Sequence, residues 1–376
     1  MFNSAFAFAL LLLPVYAADI SGSWSATITG SGRVIPLQFE FRQQPGQMLG
    51  AVGQRADFLA PLGQLRLDGT TLSFEFQLPM GPTFQFRGVV DGDTATGPLT
   101  TTPPGQAAKL EMKRVGAVWR LPSANGPADV AGLSDEFDDP ATLKNWRTLS
   151  DAEGWPNRIE KADVSVGHLM VLPQSGAWWA GYHGVYFFKE VKGDFVISTR
   201  VKVTGRNGDE PAQIWTISGL LVRAPAKDAK ENWIYIMTGR GPRTERVVDA
   251  KSTLNNDNAW DITQAQPDWY DLRLARIGPL FIAMCRPDRG DWTVRKRIVR
   301  EDLPATLQAG INVTSDFKLS STMPFAKYNA ELFPASSPDS LTVFDFVRFS
   351  RPAPAPQLAG RELIAISDAE LLALFR

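Results

Sequence analysis

Residues 178–223 read WWAGYHGVYFFKEVKGDFVISTRVKVTGRNGDEPAQIWTISGLLVR, and this stretch decides the fold. Inside it Phe195, Ile197, Thr199, Val201 and Val203 alternate with Val196, Ser198, Arg200 and Lys202. A period of two is that of a strand with one face to a core and one to water. Gly193-Asp194 supplies a turn before it. A polar loop follows, then a second strand at 218–223, and after another polar loop a third at 233–237. Upstream of the turn stand Trp178, Trp179, Tyr182, His183 and Tyr186. The pattern is that of the middle of an antiparallel sandwich, with aromatic side chains near one edge or face.

The same pattern extends outward in both directions. Strands are predicted at 159–162, 169–172, 185–191, 194–203, 214–223, 233–238, 244–248, 269–277, 280–285, 292–299, 308–313 and 341–349. Hairpin spacing dominates and no helical period is apparent, so residues 133–350 read as an all-β sandwich of two sheets. Four motifs recur in order across it. They are Asp135-Glu136-Phe137-Asp138 with Trp146 downstream, Gly193-Asp194-Phe195, Gly219-Leu220-Leu221-Val222-Arg223, and Phe344-Asp345-Phe346-Val347-Arg348. In this order the domain resembles the concanavalin A-like (laminin-G-type) jelly rolls. That resemblance implies contact with carbohydrate, bound or cleaved.

Residues 19–115 carry six or more short alternating stretches, at 23–28, 35–41, 64–67, 71–76, 83–87 and 109–113. Asp68-Gly69 and Asp91-Gly92 are hairpin turns by composition. So many strands in so short a span predict a small up-and-down barrel. It resembles the small lipocalin-like or calycin-like barrels. Residues 116–132, with Pro122, Gly126 and Pro127, read as a linker. After residue 350 a Pro-rich linker leads to a short C-terminal helix at 368–374, which Ser367 can cap. Leu371, Leu372, Leu374 and Phe375 give that tail an apolar face, to dock on its own chain or on a partner. The predicted fold class is therefore all-β: a small barrel, a two-sheet jelly roll and a short helix.

Composition limits the function. At 376 residues the chain has room for two domains. The net charge is -1, and Arg295-Lys296-Arg297 is the densest basic run, so a clustered positive face for nucleic acid is not expected. Residues 1–18 read as a secretory signal, with an apolar run from Phe6 to Leu13 and a cut after Ala17. A membrane span needs about 20 apolar residues, more than this run offers. The protein is expected to be secreted or periplasmic. The single cysteine, Cys285, rules out an intramolecular disulfide and a cysteine metal cluster.

Candidate chemistry follows from side-chain types. Two histidines, His168 and His183, are too few for a three-histidine zinc site. No Gly-x-Ser-x-Gly elbow is present, and a Ser-His hydrolase would have to use His183. Paired carboxylates on alternate positions of one strand, the arrangement the jelly-roll resemblance implies for a glycoside hydrolase, are missing: Asp268 and Asp271 point to opposite faces, and Glu190 and Asp194 straddle a turn. Asp135, Glu136 and Asp138, with Asp345 on the last strand, offer hard oxygen ligands for Ca2+. A sugar ring stacks on Trp or Tyr while charged groups bond its hydroxyls. Trp178, Trp179, Tyr182, His183, Arg223, Trp233 and Tyr235 are the candidate ligand-binding residues. The leading function is an exported carbohydrate-binding protein that takes a glycan or related ligand. One alternative is a carbohydrate-active hydrolase or lyase with carboxylates from separate strands. The other is a non-catalytic partner-binding protein.

Overall fold

The computed structural model describes residues 18–375, except 31–32, 45, 79–80, 106, 123–128, 228–229, 244, 337 and 354–355. The predicted secretory signal and the centre of the first linker lie outside the described residues. Among those described, no helix is long and apolar enough to cross a membrane. The chain divides into two compact units. One comprises the chain up to Val52 together with Pro61–Val118; the other comprises Gly53–Ala60 and everything from Trp119 on.

The first unit is an up-and-down meander. Gly22–Gly30 pairs antiparallel with Arg33–Gln44 on one side and with Ala108–Gly116, the last strand, on the other. Gln47–Gly53, Gly63–Asp68, Thr71–Gln77, Thr83–Asp91 and Thr94–Thr102 complete the nearly closed ring. Leu62 N donates to Gly50 O at 2.8 Å across the remaining gap. Gly69 and Gly92 adopt φ 59 and 55, the left-handed values their tight turns demand. Alternation sends Trp24, Ala26 and Ile28 inward from the first strand. Phe39, Phe41, Phe74, Phe76 and Phe86 join them in one packed cluster. The barrel interior is thus filled by phenyl rings.

The second unit is a sandwich of two seven-stranded sheets. One, the aromatic sheet, runs in the order Arg147–Thr148, Val185–Lys192, Thr306–Thr314, Thr216–Lys227, Lys230–Arg240, Arg246–Leu254 and Asp257–Gln264. The other, the tail sheet, runs Ile159–Ser165, His168–Pro173, Leu341–Ser350, Phe195–Thr204, Tyr270–Ile277, Leu280–Pro287 and Thr293–Val299. The core between them takes alternate residues of each strand: Leu220, Val222, Ile234 and Ile236 from one sheet, Ile197, Val201, Leu272 and Leu274 from the other. Each strand predicted between residues 159 and 349 has its counterpart in these sheets.

Three features depart from the sequence reading, and the C-terminal helix follows it. The strand Asp257–Gln264 is joined to its neighbour by Asn255 and Asn256 at φ 51 and 70, a tight turn without glycine. Helices Leu149–Glu153, Phe317–Ser320 and Phe325–Ala330 interrupt the sandwich and are too short to show a period. Gly53–Ala60 belongs with the sandwich, where Phe58 pairs with Ile298 and Lys296 Nζ lies 4.4 Å from the Phe58 ring. The C-terminal helix Asp368–Leu372 forms with a Ser367/Glu370 capping box, and its apolar face docks on its own chain. Leu371, Leu374 and Phe375 join Val196, Ala275, Ile282 and Met284 on the outer face of the tail sheet.

Candidate functional site

Strands of the aromatic sheet are buried on both faces. The residues that alternate with the core, Leu221, Trp233, Tyr235 and Met237, form a second cluster with Trp178, Tyr186, Phe188 and Leu149 on the outer face. Arg223, Glu231, Asp249, Lys251, Gln308 and Asn312 lie on that face and are buried too. This is the floor of the candidate site. Trp233 and Tyr235 stack with centroids 5.2 Å apart, and Trp178 stands edge-on to Trp233 at 6.1 Å.

One end of the floor is an ionic clamp. Arg223 donates to both oxygens of Glu231 at 2.7 Å and to both oxygens of Glu153 at 2.6 and 3.0 Å. Gln308 Oε1 takes a further bond at 2.9 Å. Burial alone would raise the Glu231 carboxyl, but the guanidinium outweighs it and holds the group down at about 2. His183 Nε2 lies 2.9 Å from Glu231 Oε1, and its backbone N–H donates to Asn329 Oδ1 at 2.9 Å. Burial lowers the His183 pKa in spite of that carboxylate, so the ring is neutral and donates from Nε2. Among the described residues His183 Nδ1 is buried without a hydrogen-bond partner.

The other end is an acid–base trio. Tyr235 OH donates to Asp249 Oδ2 at 2.6 Å, and Lys251 Nζ lies 3.5 Å from the same oxygen. Burial pushes the Asp249 carboxyl up and the Lys251 ammonium down, each toward its neutral form. Asp249 Oδ1, Asn312 Oδ1 and Trp233 Nε1 are buried and unpartnered among the described residues.

Above this floor runs a rim of half-buried rings. Trp179, Phe317, Trp215 and Trp260 follow one another with centroid separations of 5.6, 6.2 and 6.0 Å. Trp215 holds φ 56, a value bulky side chains rarely adopt, and its ring lies 5.3 Å from Lys251 Nζ. Trp179 stacks on Tyr182 at 4.2 Å and donates from Nε1 to Ser320 Oγ at 3.2 Å. The helices around Phe317 and Tyr328 pack on this segment.

The structure corrects the sequence-derived ligand set. Trp178, Arg223, Trp233 and Tyr235 are at most 1% exposed, His183 3% and Tyr182 7%. They pack against one another, and none of them offers a ring face at the surface. The physical reason is that helix Leu149–Glu153 and the rings of Trp155 and Trp215 cover the outer sheet face. Of the seven, Trp179 alone reaches the rim. Sequence reasoning missed Trp215, Trp260 and Phe317. The one local signal for Trp215 is its place in a polar loop directly before a strand.

Of the four acidic residues expected to hold calcium, Asp135, Glu136 and Asp345 have protein partners. Asp135 Oδ1 accepts from Phe137 N and Thr142 Oγ1, and Oδ2 accepts from Trp146 Nε1 at 2.9 Å. Glu136 holds Arg348 through both oxygens at 2.8 and 2.7 Å. Asp345 faces His168 at 3.6 Å, and Asp138 is exposed near the Gly167 turn. Among the described residues no group of three or more His, Cys, Asp or Glu side chains is placed to hold a metal ion. The acidic motif instead clasps the two ends of the sandwich, since Asp135 also pairs through its backbone with Val347. Cys285 is buried between strands, and burial raises its thiol pKa.

Comparison with known proteins adds little beyond this. No protein-family model and no curated protein matches the chain. Among solved structures, a GH43 protein from Bacillus licheniformis is 9% identical at a TM-score of 0.43, covering 84% of this chain and 63% of that one. A functionally unknown protein from Saccharomyces cerevisiae is 13% identical at a TM-score of 0.38, covering 56% of this chain and 98% of that one. A legume lectin-like domain from Entamoeba histolytica is 9% identical at a TM-score of 0.37, covering 60% of this chain and 99% of that one. At scores this low the fold rests on the chain's own strand pairing.

Proposed function

We propose that the protein binds carbohydrate along the rim of Trp179, Phe317, Trp215 and Trp260. The observation that carries this reading is the run of four half-buried rings above a floor of buried polar groups. Half-buried indoles offer an apolar face for the C–H side of a sugar ring, and packing from behind holds each ring in place before the ligand arrives. A GH43 protein and a legume lectin-like domain are among those with distant likeness to this chain, and the reading does not depend on them.

Binding is favoured over turnover. Glycoside hydrolysis needs two carboxyl groups about 5–9.5 Å apart on either side of the scissile bond. On this face Glu153 and Glu231 are both bound to Arg223, and Asp249 is buried beneath the rim. The tail is no free partner-binding arm, since its apolar face is already covered. The barrel's lipocalin-like or calycin-like kinship is part of the proposal. Its meander order supports that kinship, and its phenyl-filled interior favours a supporting role over a ligand cup.

The test is a glycan array followed by titration with the strongest hit. Trp215→Ala is expected to weaken binding roughly two- to tenfold, the loss of one aromatic contact worth roughly 0.5–1.5 kcal/mol. Trp233→Ala would be uninformative, because it opens a cavity in the packed floor. Binding to no glycan, or equal binding by Trp215→Ala, defeats the reading.

A further inference from the structure

The C-terminal tail covers only part of the outer face of the tail sheet. It packs on Val196, Ala275, Ile282 and Met284, and the strands Ile159–Ser165, His168–Pro173 and Leu341–Ser350 send no side chain into that cluster. Alternation turns Leu169, Val171 and Phe344 to the core and leaves Met170, Leu172, Leu341 and Val343 facing outward. These four are half-buried, and among the described residues none joins a packed cluster. Met170, Leu172 and Leu341 instead line a groove of about 490 Å³, together with Lys161, Asp163 and Arg206. That volume falls within the range of small-molecule sites, roughly 300–1,000 Å³.

The lining decides the ligand. It holds no aromatic ring on which a sugar could stack, and its thioether and isobutyl groups suit a flexible hydrocarbon chain that leaves water. Cations stand on both sides of this floor. Lys161 is the register partner of Leu172 on one side. On the other, Met170 stands opposite Val343, and Val343 opposite Lys202. Arg206 is already engaged: it holds Glu160 through both oxygens at 2.9 and 2.6 Å and serves as a fixed wall. Lys161 meets Asp163 at 3.3 Å, an exposed pair worth little and easily exchanged. Lys202 has neither an ion pair nor a hydrogen bond among the described residues. Asp345, further along the face, lies against His168 and is offset by Arg200 and Arg348. Lys161 and Lys202 against Asp163 leave an excess of positive charge beside an aliphatic floor. We propose that this groove binds a fatty carboxylate, with its chain along Met170, Leu172 and Leu341 and its head group at Lys202.

The experiment separates chain from head group and both from adventitious contact. The full chain is titrated calorimetrically with decanoate, hexanoate and decanol, each kept below the concentration at which it aggregates. Each methylene taken out of water is worth up to about fourfold in affinity, so hexanoate should bind at least roughly tenfold more weakly than decanoate. Decanol, which keeps the chain and lacks the charge, should also bind more weakly than decanoate, and Lys202→Gln should erase that difference. Leu172→Asp puts a carboxylate on the half-buried floor and should weaken decanoate at least roughly tenfold while thermal unfolding stays in place. The site is located on the unaltered protein by carbon-13 labelling of the methionine methyl groups, with the Met170 signal assigned through Met170→Leu. Decanoate is expected to move that signal. Trp215→Ala, at the rim on the other sheet, should leave decanoate binding as it is. No heat from decanoate, or a Met170 methyl that stays still while other methyls move, overturns the site. Equal affinity for hexanoate removes the role of the chain, and equal affinity for decanol removes that of the carboxylate; either result overturns the ligand class.

Discussion

Arg223 shows how far a single side chain can organise a sheet face. It is 0% exposed and neutralised by two carboxylates and an amide, which is the condition for keeping a buried guanidinium. Glu231 carries the pH consequence. Its folded pKa of about 2 lies below its ordinary 4.5. The stabilisation is therefore complete above pH 4.5 and disappears as the pH falls toward about 2. The difference corresponds to about 3 kcal/mol. Urea unfolding at a series of pH values should show wild-type stability dropping through that window, while Glu231→Gln, which does not titrate, drops less by about that amount. Parallel curves for the two proteins would mean that the clamp does not couple to protonation.

At the scale of the element, what was legible in the sequence was periodicity. Phe195–Thr204 alternates cleanly, and the strand is there. What alternation could not reveal is that the second face is also buried. Trp233 and Tyr235 share the face opposite the core, as their spacing implies, yet both are sealed beneath other segments. The covering pieces are helix Leu149–Glu153, little more than one turn, and the loop residues Trp155 and Trp215, all too short to leave a pattern. The tail was readable because its capping residue and apolar face are local. Its docking predicts a local response. Leu371→Ala removes a side chain that is 0% exposed, a change worth about 2–5 kcal/mol in a packed core. Because the helix packs on the outer face of the tail sheet, outside the core between the sheets, it should come off alone. Trypsin cleavage at Arg361 should accelerate while the cooperative unfolding of the sandwich shifts little. An unchanged cleavage rate would show that Leu371 does not hold the tail down.

For the whole molecule, charge separates the carbohydrate reading from most others. The 39 basic and 40 acidic residues nearly cancel, and the buried Arg223, Lys251, Lys296 and Arg300 each face a carboxylate within the fold. A ligand recognised by stacking and hydroxyl bonds gains little from long-range attraction, so it should be insensitive to screening. A polyanion held by lysine and arginine behaves otherwise, because its binding weakens steeply as salt displaces the released counterions. The affinity of the protein for a neutral oligosaccharide should therefore change by less than roughly twofold between about 0.05 M and about 0.5 M NaCl. Isothermal titration at the two salt concentrations measures it directly. A loss of an order of magnitude would mean that exposed charge, and not the rim of Trp215 and its neighbours, carries the interaction.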